Sequence, residues 1–555
     1  MKTKIYFILI TITMSSITIG QVINVPGDFE SIQEGISAAS SGDTVLVAPG
    51  TYYENINFKG KAITVASNYI MSGDTNDIFY TVINGSQPSN PDSASVVTFN
   101  SGEDTTSVIC GFTITGGAGT LLPDAGRGGG GIICYSSGVK IIDNKIIDNT
   151  ASSNALTRGG GVYCRNSNVI MQNNIIRGNS LDGSGSYGGG FYSWNTHFLK
   201  MTGNIVTYNV DITGGAGVFC GHPLGPVTVS QNVFSNNVGL QTSIGYGGGF
   251  NIDDAYDYPV EVDRNQFLNN SSNNGGGFYE KNCYNLRLTN NIFFGNDGYY
   301  SGGAICIYHE GGNYRPEIIN NTFYNNSAVY GGGAVSYFSD FIGSSPVTMN
   351  CIFWENLAPP GVGQDICNWS NDTLFVYNSD IDTNKIDGPW NGMSNFDADP
   401  MFKDDSCRLN CFLPSPCIDA GLSELIIEGD TFYAPTHDLD GEPRPQDVTM
   451  DVGSDEATIC TYISEGFANV DAIQLSVYPN PVSQSANMQY TVYSMQYTNL
   501  AVYDSFGRKV ETLVDEMQQH GEFTVSWNAE GLPSGVYLYK LTAGDKIATG
   551  KIIKR

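Results

Sequence analysis

Positive charge is scarce in this chain. Lys and Arg total 26 against 55 Asp and Glu, a formal net charge of −29. Such a surface repels nucleic acid and anionic membrane, so neither is an expected partner. Histidine is scarcer still. His197, His222, His309, His437 and His520 stand at least 25 residues apart, which disfavours a zinc site built from neighbouring ligands. Beyond residue 20 no apolar run is long enough to span a bilayer.

What the chain has in abundance is glycine, 67 residues of 555. Much of it falls in a run that recurs eight times: GGGG at 128–131, GGG at 159–161, GGG at 188–190, GGAG at 214–217, GGG at 247–249, GGG at 275–277, GG at 302–303 and GGG at 331–333. Counted from the last glycine of each, the steps are 30, 29, 27, 32, 28, 26 and 30 residues. A second marker keeps step with it. The pattern Asn-x-apolar-x-x-Asn begins at Asn144, Asn174, Asn204, Asn232, Asn265, Asn291 and Asn321, and an eighth copy, CIFWEN, puts Cys351 in the first position. Two markers in phase over eight copies define a structural repeat.

Each copy is built of short alternating apolar runs broken by Gly, Asn and Ser, which is strand and turn chemistry. Three short strands and three turns in about 30 residues describe one coil of a parallel β-helix, stacked on the next at about 4.8 Å. Stacking predicts a column of Asn144, Asn174, Asn204, Asn232, Asn265, Asn291 and Asn321, each amide bonded to the next. On these repeats the chain resembles the right-handed parallel β-helix, or pectin-lyase-like, family over about residues 22–457. The resemblance implies an all-β fold and speaks weakly for activity.

Residues 1–20 read as a signal peptide: Lys2 and Lys4, then IYFILITIT, then Thr18-Ile19-Gly20. Residues 21–41 read as a capping segment. Its helix places Phe29, Ile32, Ile36 and Ala39 on one face, with Asp28 as N-cap, laid across the open end of the first coil. Residues 42–357 carry the coils. Residues 358–460 are closing coils with Asp- and Pro-rich loops at 396–402, 415–421, 438–444 and 451–456. Asp438, Asp440, Asp451 and Asp455 suit either Ca²⁺ or hydrogen-bonded turns. Cys407, Cys411, Cys417 and Cys460 are candidates to staple this end.

A linker at 461–473 precedes a run of alternating strands at 474–555, read as a small Ig-like β-sandwich. Tyr478-Pro479-Asn480-Pro481, the stretch from Asp504 to Val510, Gly535-Val536-Tyr537 and the ending Lys551…Lys554 resemble the C-terminal sorting domain of the bacterial type IX secretion system. The resemblance implies passage across the outer membrane to the surface or the medium, with the secretion machinery as a partner.

Counted from the last glycine of each run, positions +1 and +3 are expected to point into the coil and +2 and +4 outward. The +3 row then includes Cys134, Cys164, Cys220 and Cys306, with Glu280 calling for a bulge or a buried partner. The outward rows put Tyr135, Tyr163, Tyr192, Trp194, Phe219, Tyr279 and Tyr337 on one outer sheet. Exposed rings at this density fit the apolar faces of sugars. The alternative is that the loops at 181–187 and 240–246 fold over them.

Lyase chemistry is not favoured: Arg165 and Lys281 lie four rungs apart, about 19 Å. Paired-carboxylate hydrolysis has Asp253, Asp254 and Asp257 in one loop as candidates. Two functions therefore stand at this stage: a non-catalytic exported protein that binds polysaccharide or matrix, and a polysaccharide lyase or hydrolase.

Overall fold

The computed structural model describes residues 20–457 and 475–555, apart from 125, 154, 184, 240–244, 313, 341, 342, 344, 404, 405, 411–414, 447, 493–495, 505–507, 520, 544 and 545. The proposed signal peptide, the linker, Cys411 and Cys460 lie outside the described residues. The chain divides into two compact units, 1–460 and 461–555.

The first unit is a parallel β-helix. Three long sheets of 14, 11 and 12 strands run along it, called here the long, narrow and floor sheets. The floor sheet runs from Ile56–Asn57 through Ile132–Tyr135, Val162–Arg165, Phe191–Trp194, Val218–Gly221, Phe250–Asp253, Phe278–Lys281 and Ile305–His309 to Ile386–Asp387. One apolar core runs the length of the stack. Phe234, Phe267, Phe293, Phe323 and Phe353 stack rung on rung inside it, with centroids 4.6–5.1 Å apart. Seven of the eight regular coils also carry a fourth, two- to five-residue strand, forming a seven-stranded sheet, and the eighth adds a single bridge at Leu357.

The corners explain the repeat. A left-handed glycine opens each corner, the first of the triplet at Gly159 (φ +64°) and Gly275 (φ +63°) but the second, Gly332, in the run at 331–333; a Cβ at any of the three would meet a backbone carbonyl three residues on at 2.2–2.3 Å. Only glycine fits. At the corner between the long and narrow sheets Asn204 Nδ2 donates to Asn232 Oδ1 at 2.9 Å, and the amide of Asn204 donates to the same oxygen. The same pair of bonds links Asn144 to Asn174 and continues to Asn321. There the Cys351 thiol takes the acceptor's place at 3.4 Å. The second Asn of each copy builds a parallel ladder, Asn149, Asn179, Asn209, Asn237, Asn270, Asn296, Asn326 and Asn356, bonded in the same way.

Several expectations are corrected. The first helix, α1, spans Ile32–Ala38, and its N-cap is Ser31 in a capping box with Glu34. Asp28 instead accepts from Asn24. Val22–Val25, within the proposed cap, is already a strand, paired with Thr44–Val47. α1 buries Ile32 and Ile36 in the first coil, and Lys61 Nζ donates to the carbonyls of Ile36, Ser37 and Ala39. The coils end with Trp390–Asn391 and a last parallel bridge from Phe396 to Asp380, rather than near 457. The described residues of 397–457 turn back along the outside as a strap. The hairpin Glu424–Ile427 and Asp430–Tyr433 packs on the outer face of the long sheet through Ile427 and Phe432. Arg315 pins it to Glu428 and Asp430. Leu409, Cys417 and Leu439 cover the narrow sheet.

The second unit has a three-stranded and a four-stranded antiparallel sheet, with one parallel bridge between Val482 and Lys554, closing on Trp527, Tyr490, Leu500, Leu541 and Ile552. Asn480 clasps its last strand, donating to Lys551 O and accepting from Ile553 N, both at 2.9 Å.

Candidate functional site

The strap leaves the outer face of the floor sheet to another neighbour. Beside this sheet runs a strip of very short strands and single bridges: Arg127–Gly128, Thr157–Arg158, Ser186–Tyr187, then Gly214, Tyr246 and Asn274. The buried Asp211 anchors it, accepting from Ser186 Oγ at 2.6 Å and from the amides of Gly188 and Gly214 at 3.1 Å. Its burial raises its pKa to about 7.

This strip forms one wall of a cleft and decides where the aromatic residues go. Tyr163, Tyr192, Phe219 and Tyr279 point outward from the floor sheet but are at most 5% exposed. The wall covers them. Tyr187 packs on Phe219 at 5.0 Å and Tyr246 on Tyr279 at 4.5 Å, while the Arg158 guanidinium lies over Tyr192 at 5.9 Å. Tyr163, Tyr192 and Phe219 stack on one another, each pair 5.3 Å apart and 5° from parallel. The expectation that all these rings face solvent is corrected: Tyr163, Tyr192 and Phe219 form a second small core between floor and wall, and Tyr279 is buried against Tyr246.

Tyr337 is corrected differently. Backbone pairing aligns Glu280 with Ile307 and Ile307 with Tyr337. In the last two regular coils Ala304 and Ala334 therefore take the last-glycine position, and every later position shifts by one. Tyr337 points into the coil, and Cys306 moves to an outward position under Tyr246 and Tyr279. Cys134, Cys164 and Cys220 are free thiols in the inward row. Glu280, also inward, finds a buried partner in His309, Oε2 to Nε2 3.1 Å.

The floor of the cleft is the +4 row. Register places Tyr135, Arg165, Trp194, Gly221, Asp253, Lys281, Tyr308 and Phe338 on successive rungs. Of the expected binding residues, Tyr135 and Trp194 are here, half-buried. Gly221 makes room for Trp194: a Cβ at Gly221 would lie 2.3 Å from the indole. The ring is 4–5° from parallel to Phe219 and Tyr192. Two cavities open along this floor: an upstream one of about 380 Å³ between Asp124, Arg158, Arg165, Trp194 and Asp253, and a downstream one of about 410 Å³ between Asp253, Lys281, Tyr308 and Phe338. Asp253 borders both.

The charges in the cleft are mostly paired. Arg158 bonds Asp124 at 2.9 Å and Lys281 bonds Glu310 at 2.9 Å. Arg165 has no carboxylate partner among the described residues, and its Nε is shielded without a hydrogen bond. Asp253 Oδ1 is likewise shielded and without a hydrogen bond, as are both side-chain polar atoms of Asn251, two residues before it on the strand. Desolvation, reinforced by the Asp254 charge and opposed by Lys281, raises the Asp253 pKa to about 7. The other two candidate carboxylates stand apart in role. Asp254 accepts from Tyr256 OH and Asn282 Nδ2, and Asp257 is exposed.

Asp438, Asp440 and Asp455 do bring carboxylate oxygens within 4.8 Å of one another. Their donors are protein, however. Asp438 accepts from the amides of Asp440, Glu442 and Glu456, and Asp455 from that of Leu409. Arg408 supplies positive charge to Asp440 at 2.7 Å and to Asp455 at 3.5 Å. Asp451 closes a separate turn through the amides of Asp419 and Ala457. Cys417 is a free thiol that donates to Asp380 Oδ2.

The comparison that decides the chain's destination concerns its other end. Residues 476–555 match the family of secretion system C-terminal sorting domains. The chain carries a type IX sorting domain. It is therefore a protein exported to the cell surface or the extracellular space, and this domain is its contact with the secretion machinery. The Asn480 clasp joins two of the motifs that carried the resemblance, the Pro-Asn-Pro segment and the Lys551…Lys554 ending. No curated protein matches the chain. No helix among the described residues is long and apolar enough to cross a membrane.

Proposed function

We propose that this exported protein holds a polysaccharide of the cell surface or extracellular matrix in the floor-sheet cleft without cleaving it. The observation that carries the reading is Trp194. Its indole is laid over Gly221 in an open groove, with Arg165 one rung upstream and Asp253 two rungs downstream. An aromatic face flanked by a guanidinium and a carboxyl group suits a sugar ring, which offers an apolar face and a rim of hydroxyls. The groove follows the stacking axis, at about 4.8 Å per rung, so an extended polymer meets several rungs at once. Among the expected binding residues, Trp194 and Tyr135 make the contact, and Tyr163, Tyr192, Phe219 and Tyr279 hold the floor against the wall.

One observation favours the second reading, a glycoside hydrolase of the pectin-lyase-like kind. Asp253 has a pKa near 7, so much of it is protonated at neutral pH, as a general acid requires. A partner base is what this reading lacks. Asp254 is engaged by Tyr256 and Asn282, and Glu310 by Lys281.

Both readings meet one experiment. The secreted protein is incubated with acidic and neutral polysaccharides, with and without Ca²⁺, and retention, absorbance at 235 nm and new reducing ends are recorded. Retention without product supports binding. New reducing ends abolished in Asp253→Asn support hydrolysis, and a rise in absorbance supports a lyase.

A further inference from the structure

Downstream of Lys281 the cleft changes character. From Tyr308 a line of rings leads out of the groove and onto its rim. Tyr308 and Phe338 lie 6.4 Å apart, and Phe338 and Trp369 4.4 Å. The Trp369 indole packs over Gly331, where a Cβ would be 2.8 Å from it. The neighbouring Tyr330 stacks on Tyr300 at 5.7 Å, and its amide donates to Tyr300 O. Unlike the rings upstream, these are open: Trp369 is 40% exposed, Tyr300 45% and Tyr330 53%.

We infer that Phe338, Trp369, Tyr330 and Tyr300 form a platform for uncharged sugar units, continuing the polymer that the cleft holds. This rests on the cleft reading. The choice of occupant comes from charge and continuity. Among the described residues no cation is found over these four rings, and Lys281, which lies over Tyr308, is paired with Glu310. The Asp340 charge reaches Tyr308 and repels a polyanion. A second copy of a chain with net charge −29 is disfavoured for the same reason. The platform is also continuous with the downstream cavity, which Tyr308 and Phe338 line.

The test uses the full secreted chain on immobilised uncharged glucan, xylan and mannan and on one polyuronate. It compares the parent, Tyr330→Ala with Trp369→Ala, Tyr330→Ala alone, and Trp194→Ala. The platform predicts that the double variant loses about tenfold retention on an uncharged polymer at an unchanged melting temperature. Should the double variant fold poorly, Tyr330→Ala, which removes an exposed ring, still shows a several-fold loss. Full retention by both platform variants together with loss in Trp194→Ala overturns the platform and leaves the cleft reading standing. Retention on the polyuronate alone, or a dimer of the parent that the double variant dissolves, also overturns it. No retention of the parent on any polymer overturns both.

Discussion

Trp194 lies over Gly221, one rung downstream, in the space that a side chain there would occupy. The orientation of the indole on the cleft floor thus depends on a residue with no side chain. Gly221 is not in a left-handed conformation, so alanine is compatible with its backbone. Gly221→Ala is expected to push the indole up from the floor. Saccharide retention should fall while the melting temperature stays near the parent's, as intrinsic Trp fluorescence and a thermal melt will show.

The Asn column makes a stability prediction. Asn204 Oδ1 accepts from both the amide and Nδ2 of Asn174. Asn204→Leu strands those two donors in a buried corner, at a cost of about 1–3 kcal/mol for each group left unsatisfied. Urea unfolding is expected to show a lower midpoint, and Asn209→Leu in the second ladder should behave alike. An unchanged midpoint would mean that the ladder adds nothing.

Stability should also depend on pH. Asp211, Asp253, Asp365, Asp380 and Asp451 have pKa values raised to about 7, each chiefly by burial. Between the ordinary carboxylate range and pH 7 the folded chain keeps protons that the unfolded chain has released. Stability is therefore greatest below about pH 4 for these groups and is lost as pH rises through 7. The urea midpoint is expected to be higher at pH 5 than at pH 8. Asp253→Asn, which cannot ionise, should narrow the difference.

Export is separable from the β-helix, because each unit has its own apolar core. Deleting residues 474–555 is expected to leave a folded protein in the periplasm, absent from surface and medium. Undiminished levels outside the cell would contradict the role of the sorting domain.

The β-helix was legible because its corners are chemically narrow. A left-handed corner takes glycine, and a stacked buried amide takes asparagine, so both recur in the letters. The second ladder is as plain in the same six-residue pattern. The register of the last two regular coils was hidden because Ala304 and Ala334 stand where φ is ordinary and a Cβ is admissible. The cleft was less legible. Its wall is made of two-residue strands and lone bridges at Arg158, Tyr187, Gly214 and Tyr246, too short to show a period. Without the wall, Tyr163 and Trp194 look equivalent; with it, one is core and the other is floor. The raised pKa of Asp253 has no local signal either, since burial by distant segments causes it. His309, the partner of Glu280, lies 29 residues away.

The most direct test of the central claim pairs two neighbouring rings on one strand, Tyr192 and Trp194. Each is replaced by alanine, and melting temperature and retention on insoluble polysaccharide are measured together. Tyr192 is stacked in the small core, so its loss should cost about 3–5 kcal/mol and lower the melting temperature by several degrees. Trp194 should do the opposite: an almost unchanged melt and a loss of retention. If Trp194→Ala binds as the parent does, the cleft is not where this protein holds a polysaccharide.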